Sequence, residues 1–142
     1  MEIVSGGANG STKAFIVKDR TSNNHGPMQA VDLSCRQPGD ALYFTFYYKL
    51  EDENNNPSPC VKGSRDPMLR CVEAAIKLEN DDWREWVMLE NEDTSTYTPG
   101  SFTHFRASFL VTQKMTDLDE VIFFLTGPRE GVSIIFDEVS LL

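Results

Sequence analysis

The sequence predicts an all-β protein, an antiparallel β-sandwich of the jelly-roll type with about eight strands. Apolar residues alternate with polar ones at period two, and clusters of Gly, Pro, Asn and Asp separate the alternating segments. No segment shows a convincing helical period, and short strands at this spacing are typical of sandwiches. The chain has 142 residues with no internal repeat or linker, so residues 1–142 are predicted to form one domain.

The clearest strand runs from Ala41 to Leu50 (ALYFTFYYKL). Because side chains alternate across a strand, one face should carry Leu42, Phe44, Phe46, Tyr48 and Leu50, and the other Tyr43, Thr45, Tyr47 and Lys49. We expect the first face to lie in the core. The second face is aromatic but should be hydrated.

The remaining strands are predicted from the same alternation, at Thr12–Arg20, Met28–Leu33, Arg70–Glu79, Trp83–Leu89, His104–Val111, Val121–Thr126 and Val132–Leu141. Glu73, Ala74 and Ala75 would also suit a helix, but the alternating residues around them favour a strand. The polar stretch Glu51–Leu69 predicts a long loop. A single helical turn is expected at Asp117–Glu120.

The charge restricts the partners. The formal net charge is −9 and the pI is about 4.6, whereas nucleic acids and anionic membranes are bound by clustered Lys and Arg. We therefore expect no nucleic acid partner. No apolar run is long enough to span a bilayer, so we also expect no membrane insertion. Residues Met1–Gly10 lack the basic and apolar regions of a signal peptide. The domain is therefore either intracellular or a piece of a longer secreted chain.

The three cysteines leave the redox state open. Cys60 and Cys71 flank a loop, and a disulfide between them would contribute roughly 2–3 kcal/mol. Pairing of Cys35 with either of them is equally allowed by the sequence, as are three free thiols.

No arrangement of catalytic residues stands out. The two histidines, His25 and His104, belong to no metal-binding motif, no nucleophile elbow is present, and no glycine loop precedes a helix. The acidic residues lie mainly in loops, where a solvated role is the ordinary one. We therefore expect a binding module and not an enzyme.

The aromatic face of the Ala41–Leu50 strand suits a sugar, because the C–H groups of a pyranose pack on an aromatic ring while its hydroxyls need hydrogen-bonding partners. We predict that Tyr47, with Tyr43 beside it, forms the platform, and that Arg20 and Gln29 supply planar polar groups. Packing of Tyr47 under a loop is the alternative. Trp83, among charges at a strand start, is predicted to be exposed and to assist Tyr47 in sugar stacking, whereas Trp86, amid apolar neighbours, is predicted to be in the core.

Several segments together resemble the carbohydrate-binding modules of families 4, 9 and 22. Tyr47–Leu50 is similar to the "W-V-K-L" strand of those families, and Trp86–Leu89 to "W-x-x-L". The segment Gly100–Thr103 resembles "G-x-F-T", and Ile135–Leu141 resembles "I-D-D-V-S-L". The stretches Ala14–Arg20, Gly26–Gln29 and Pro38–Asp40 precede them in the families' order.

The resemblance implies a jelly roll with a concave sheet that binds a polysaccharide or other glycan, in an extracellular or cell-wall location within a longer secreted protein. It places Tyr47 at a sugar-stacking position and Arg20 and Gln29 at the groove. Asp137 matches an acid of a terminal pair that often binds a structural Ca²⁺, through oxygen coordination.

Two departures from the family pattern support a different function. Thr126 replaces a glutamate at the end of the penultimate strand, which weakens the expectation of xylan specificity although Thr126 can still donate a hydrogen bond. The usual opening strand is absent, so the main-chain groups of an exposed sheet edge would be free to bind a protein partner or a second copy. The alternative is thus a structural building block of an extracellular or organelle-surface assembly that binds no glycan.

Overall fold

Two antiparallel sheets packed face to face contain almost all the regular structure in the computed structural model, which describes residues 1–142. Strands make up 44% of the chain and helix 4%, which confirms the predicted β-sandwich. There are nine strands and not eight. Their bounds are β1 Glu2–Ser5, β2 Lys13–Val17, β3 Met28–Val31, β4 Ala41–Glu51, β5 Glu73–Glu79, β6 Arg84–Leu89, β7 Thr103–Leu110, β8 Val121–Thr126 and β9 Ser133–Leu141.

The strand order defines two outer faces. The five-stranded sheet has the order β1-β2-β9-β4-β7, and the four-stranded sheet has the order β3-β8-β5-β6. Every pairing is antiparallel. The inner faces of the two sheets form the core, so each sheet presents its other face to solvent.

The core confirms the prediction for β4. Its five predicted inward residues are all buried, and Phe46 stacks on Phe105 of β7 with ring centroids 4.6 Å apart. The opposite face is more exposed, with Tyr43 40% exposed. Period-two alternation on a long strand is therefore a reliable indicator of which side faces the core.

The N-terminal edge differs from the prediction. Residues Glu2–Ser5 form β1, which pairs with β2 from Glu2–Ile16 to Ser5–Lys13. The expectation of an absent opening strand was therefore wrong. The sequence signal was weak because β1 is an edge strand of four residues with only Val4 half-buried. This pairing removes the main support for the building-block alternative.

The only helix also lies earlier than predicted. It spans Gln113–Asp117, where Thr112 accepts a hydrogen bond from the Met115 N–H and Met115 is buried. Capping and burial thus place the helix before the expected turn at Asp117–Glu120. With five residues, this helix is far too short to span a bilayer.

One disulfide closes part of the long loop. Cys60 and Cys71 are bonded, with Cα atoms 5.0 Å apart, and Cys35 is free and exposed. Both bonded residues lie in the core cluster. The disulfide therefore holds the end of the Asn- and Pro-rich loop, including Arg70, next to the start of β5.

Candidate functional site

The predicted ligand residues lie in separate regions. Tyr43 and Tyr47 are on the outer face of the five-stranded sheet, whereas Thr126 ends β8 in the four-stranded sheet. Arg20 is buried between loops, and Gln29 is exposed on the edge strand β3. One continuous site built on all of them is therefore excluded.

Arg20 has a structural role and does not line a groove. It is 2% exposed, and its guanidinium donates hydrogen bonds to five main-chain carbonyls, those of Ser22, Asn23, His25, Arg129 and Val132. Burial lowers the pKa of Arg20 to about 10, so the group remains charged at neutral pH. No donor is left for a ligand, and the prediction that Arg20 contacts sugar is corrected.

The two tryptophans exchange their predicted roles. Trp83 is half-buried and packs against the core, with the Lys114 ammonium 5.2 Å from its ring centroid. Trp86 is 51% exposed on the outer face of the four-stranded sheet, where it lies opposite Lys77 of the neighbouring strand β5. Its apolar sequence neighbours suggested burial, but Val87 and Leu89 point to the core and Trp86 alternates with them.

Trp86 forms the wall of a recess that we call the Trp86 groove. The groove has a volume of about 350 Å³, and its lining residues are Asn23, Asn24, Arg70, Trp86, Met88, Phe124 and Thr126. Trp86 and Phe124 pack edge to face, with ring centroids 5.2 Å apart and an interplanar angle of 78°. Phe124 is buried, so it fixes the position of the exposed indole.

Polar side chains in the Trp86 groove retain free hydrogen-bonding groups. The Thr126 hydroxyl lies 2.6 Å from the Asn23 carbonyl oxygen and 3.1 Å from Asn24 Oδ1. The Asn24 Nδ2 amide makes no hydrogen bond within the chain. Arg70 donates from Nη2 to Glu73 Oε2 at 3.0 Å and leaves its other N–H groups free. The groove therefore combines an exposed indole with available donors.

Tyr47 lies on the opposite side of the sandwich. It is half-buried and packs on His104 of β7, with ring centroids 4.7 Å apart. Tyr43, four residues earlier on the same face, lies under the Arg106 guanidinium at 4.8 Å. Both rings remain on the solvent side of the sheet, as predicted, and their contact with a ligand stays a prediction.

Gln29 lies at a third location. Its Nε2 donates to the neighbouring Ala30 carbonyl at 2.9 Å, and it lines an apolar cleft of about 440 Å³ between the two sheets. Aromatic and aliphatic residues form most of that cleft, among them Phe15, Phe44 and Phe123. Such a lining does not suit the hydroxyl groups of a sugar.

Asp137 fixes the N-terminal loop in place. Its Oδ2 accepts from the Ala8 N–H at 2.9 Å, and its Oδ1 accepts from the Glu138 N–H at 2.9 Å. Glu138 accepts in turn from the Asn9 side-chain amide at 2.9 Å. N–H donors thus face these carboxylates, and the chain gathers no group of three His, Cys, Asp or Glu side chains for a metal. Both carboxylates are therefore engaged by N–H donors, and calcium binding stays an expectation.

Sequence reasoning missed Trp86, Asn24 and Arg70. A usable signal for Trp86 was present, since period two places it on the same face as the charged Arg84 and not with Leu89. Asn24 and Arg70 carried no such signal, because the chain fold alone brings the two loops to the end of β8.

Comparison with known proteins gives structural matches only. No protein-family model matches the chain, and no curated protein matches its sequence. Its structure is similar to the CBM22-2 xylan-binding domain of Xyn10C from Paenibacillus barcinonensis, with a TM-score of 0.71 and 18% identity over 99% of this chain and 84% of that one.

Two further solved structures show the same likeness. The C-terminal family 22 carbohydrate-binding module of Xyn10B from Clostridium thermocellum aligns with a TM-score of 0.64 and 13% identity, covering 97% of this chain and 78% of that one. A putative sugar binding protein from Bacteroides thetaiotaomicron aligns with a TM-score of 0.57 and 12% identity, covering 98% of this chain and 79% of that one. The chain therefore has the fold of the family 22 carbohydrate-binding modules, and the resemblance predicted from its motifs is confirmed at the level of the fold.

Proposed function

We propose that the chain is a non-catalytic carbohydrate-binding module that holds a neutral polysaccharide in the Trp86 groove. The observation that carries the proposal is the half-exposed indole of Trp86 beside free side-chain donors in a recess of about 350 Å³. An indole held by a buried ring loses little conformational freedom when a ligand packs on it.

The chemistry of the groove matches that of a sugar ring. The C–H face of a pyranose packs on the indole, and its hydroxyl oxygens accept hydrogen bonds from Asn24 Nδ2 and the free N–H groups of Arg70. The Thr126 hydroxyl donates to the Asn23 carbonyl at 2.6 Å and lies 3.1 Å from the Asn24 side-chain amide, so it holds this segment beside the indole. Thr126 thus supports binding by positioning Asn24.

The charge of the chain favours a neutral ligand. A net charge of −9 repels acidic polysaccharides. The only carboxylate hydrogen-bonded to a groove side chain is that of Glu73, which is paired with Arg70. The structural neighbours include modules described as xylan-binding, which supports xylan as the first probe.

An extracellular location within a longer secreted protein is consistent with this function. The Cys60–Cys71 disulfide supports that location, since disulfides persist in oxidising compartments.

Isothermal titration against soluble xylan, mixed-linkage β-glucan, glucomannan and starch tests the proposal. We expect heat with at least one polymer and a Kd of roughly micromolar to millimolar, because shallow sites exchange water hydrogen bonds for similar ones. Trp86→Ala should weaken that binding about tenfold or more.

Phe15→Ala is a matched control, because Phe15 is 40% exposed and lies outside the groove. Its affinity should equal that of the wild type. Absence of heat with every polymer, or equal loss in the two variants, would argue against the Trp86 groove as the binding site.

A further inference from the structure

A second recess lies on the other side of the sandwich, on the outer face of the five-stranded sheet. We call it the Tyr47 cleft. Its volume is about 380 Å³, and hydroxyl and aromatic side chains form its lining, namely Tyr47, Ser95, Thr96, Thr98, Ser101, Phe102, Thr103 and His104. No carboxylate, amide or ammonium group contributes to it. Hydroxyl groups next to aromatic rings are the surroundings that a neutral sugar needs.

The rings of Tyr47 and His104 form the aromatic part of the cleft. The two residues face each other across the β4–β7 ladder, with ring centroids 4.7 Å apart and planes inclined by 37°. Cross-strand packing of this kind holds both rings in defined positions. Phe102 extends the aromatic surface and is itself covered by the Lys49 ammonium at 4.9 Å.

Asp93 determines which nitrogen of His104 is available. Its Oδ2 lies 3.0 Å from His104 Nδ1. Asp93 accepts hydrogen bonds from the Ser95 hydroxyl, the Ser95 N–H and His104. These bonds lower the pKa of Asp93 to about 2, so the carboxylate is an acceptor at neutral pH. Nδ1 therefore carries the hydrogen, and Nε2, which bonds to nothing in the chain, can accept from a sugar hydroxyl.

The loop over the cleft is anchored before any ligand binds. Lys62 Nζ donates to the carbonyls of Asp93 and Ser95, at 3.1 and 2.5 Å. The buried Tyr97 hydroxyl donates to the Ser58 carbonyl at 2.8 Å and accepts from the Leu50 N–H at 3.2 Å. A preformed loop lowers the entropy cost of binding.

We infer that the Tyr47 cleft is a second site for a neutral saccharide, so that the module carries one glycan site on each sheet. This inference rests on the proposed carbohydrate-binding function of the chain. Two sites on opposite faces would allow one copy of the module to bridge two polysaccharide chains.

Amide-resolved NMR titration with xylohexaose, cellohexaose and mannohexaose tests the inference. For at least one hexasaccharide we expect two separate groups of shifting amides, one near Trp86 and one in residues 95–104. Tyr47→Ala should abolish the second group and leave the first with unchanged Kd. Trp86→Ala should do the reverse.

Thr96→Arg provides a variant that leaves the packing of Tyr47 intact. Thr96 is exposed, lines the cleft and makes no side-chain hydrogen bond within the chain, so a long side chain there obstructs the cleft without disturbing the core. It should weaken the second site at least tenfold while thermal unfolding stays that of the wild type.

The outcomes separate the two proposals. Shifts confined to the Trp86 groove, or a second group that survives in both cleft variants, overturn the second site and leave the proposed function standing. Shifts confined to residues 95–104 overturn the Trp86 groove and retain the cleft. If no hexasaccharide produces shifts at either location, both proposals fail.

Discussion

Arg20 and Arg70 both act on the Trp86 groove, but they use their guanidinium groups in opposite ways. Arg20 is 2% exposed, and its hydrogen bonds to the Ser22 and Asn23 carbonyls hold the loop that lines one side of the groove. Arg70 is half-buried, bonds only to Glu73 and leaves donors free on the other side. A side chain recognises a ligand only with hydrogen-bonding capacity that the fold has left unused.

The difference between the two arginines predicts the largest stability effect in the chain. Arg20→Ala removes five hydrogen bonds to main-chain carbonyls together with a buried side chain, and it should lower the free energy of unfolding by about 3 kcal/mol or more. Arg20→Lys should lose less, since an ammonium replaces some of the donors. Urea denaturation measures both.

Arg70→Ala is the matched control. It should cost about 1 kcal/mol or less, because a partly exposed ion pair contributes little, yet it should weaken glycan binding. An Arg20→Ala protein as stable as the wild type would contradict the structural role of Arg20.

The disulfide is expected to give the next largest effect. Cys60 and Cys71 are 11 positions apart, and opening that loop should cost about 2–3 kcal/mol. Thermal unfolding with and without a reductant measures the loss, in a Cys35→Ser background that prevents disulfide exchange. Cys35→Ser alone should leave the melting temperature unchanged, and an unaltered melt after reduction would count against the pairing.

Two stacked tyrosines in the core show the same difference, because one hydroxyl has hydrogen-bond partners and the other has none. The Tyr97 hydroxyl bonds to Leu50 and Ser58, whereas the buried Tyr48 hydroxyl has no partner. Tyr97→Phe should therefore cost about 1–2 kcal/mol. Tyr48→Phe should be neutral or stabilising, because the hydroxyl that it removes is buried without a hydrogen-bond partner. The same burial raises the pKa of Tyr48. Denaturant midpoints that fall equally in both variants would contradict this assignment.

The smallest expected effect is a pH dependence at Asp93. Hydrogen bonds from Ser95 and His104 lower the pKa of Asp93 to about 2 from its model-peptide value of 3.8. A lowered carboxyl pKa contributes stability that is present above pH 4 and is lost as the pH falls through about 2. The stability difference between wild type and Asp93→Asn should therefore narrow from pH 5 to pH 2. A difference that is constant over this range would exclude the contribution.

Much of the fold could be predicted from local pattern. Alternation on β4 identified the core face, and the predicted bounds of β8 agree with the structure. Segments with weak burial were harder, since β1 is a four-residue edge strand and the bounds of β2 contract to Lys13–Val17. Local pattern reports burial, so it fails where little is buried.

The site was harder to predict than the fold. Arg20 was expected at a groove because planar polar groups suit sugars, but its contacts with residues 129–132 depend on the tertiary fold. Trp86 was expected in the core because its sequence neighbours are apolar, although the alternation already placed it on the other face. Asn24 and Arg70 meet only when β8 and the disulfide bring their loops together.

Titration of the Trp83→Phe variant tests the Trp86 groove most directly, because Trp86 is then the only tryptophan in the chain. On addition of the polysaccharide that gives heat in calorimetry, the emission of Trp86 should change and saturate with the calorimetric Kd, since a sugar ring displaces water from the indole. Emission that stays constant while the polysaccharide binds would show that the glycan lies elsewhere and would contradict the assignment of the groove.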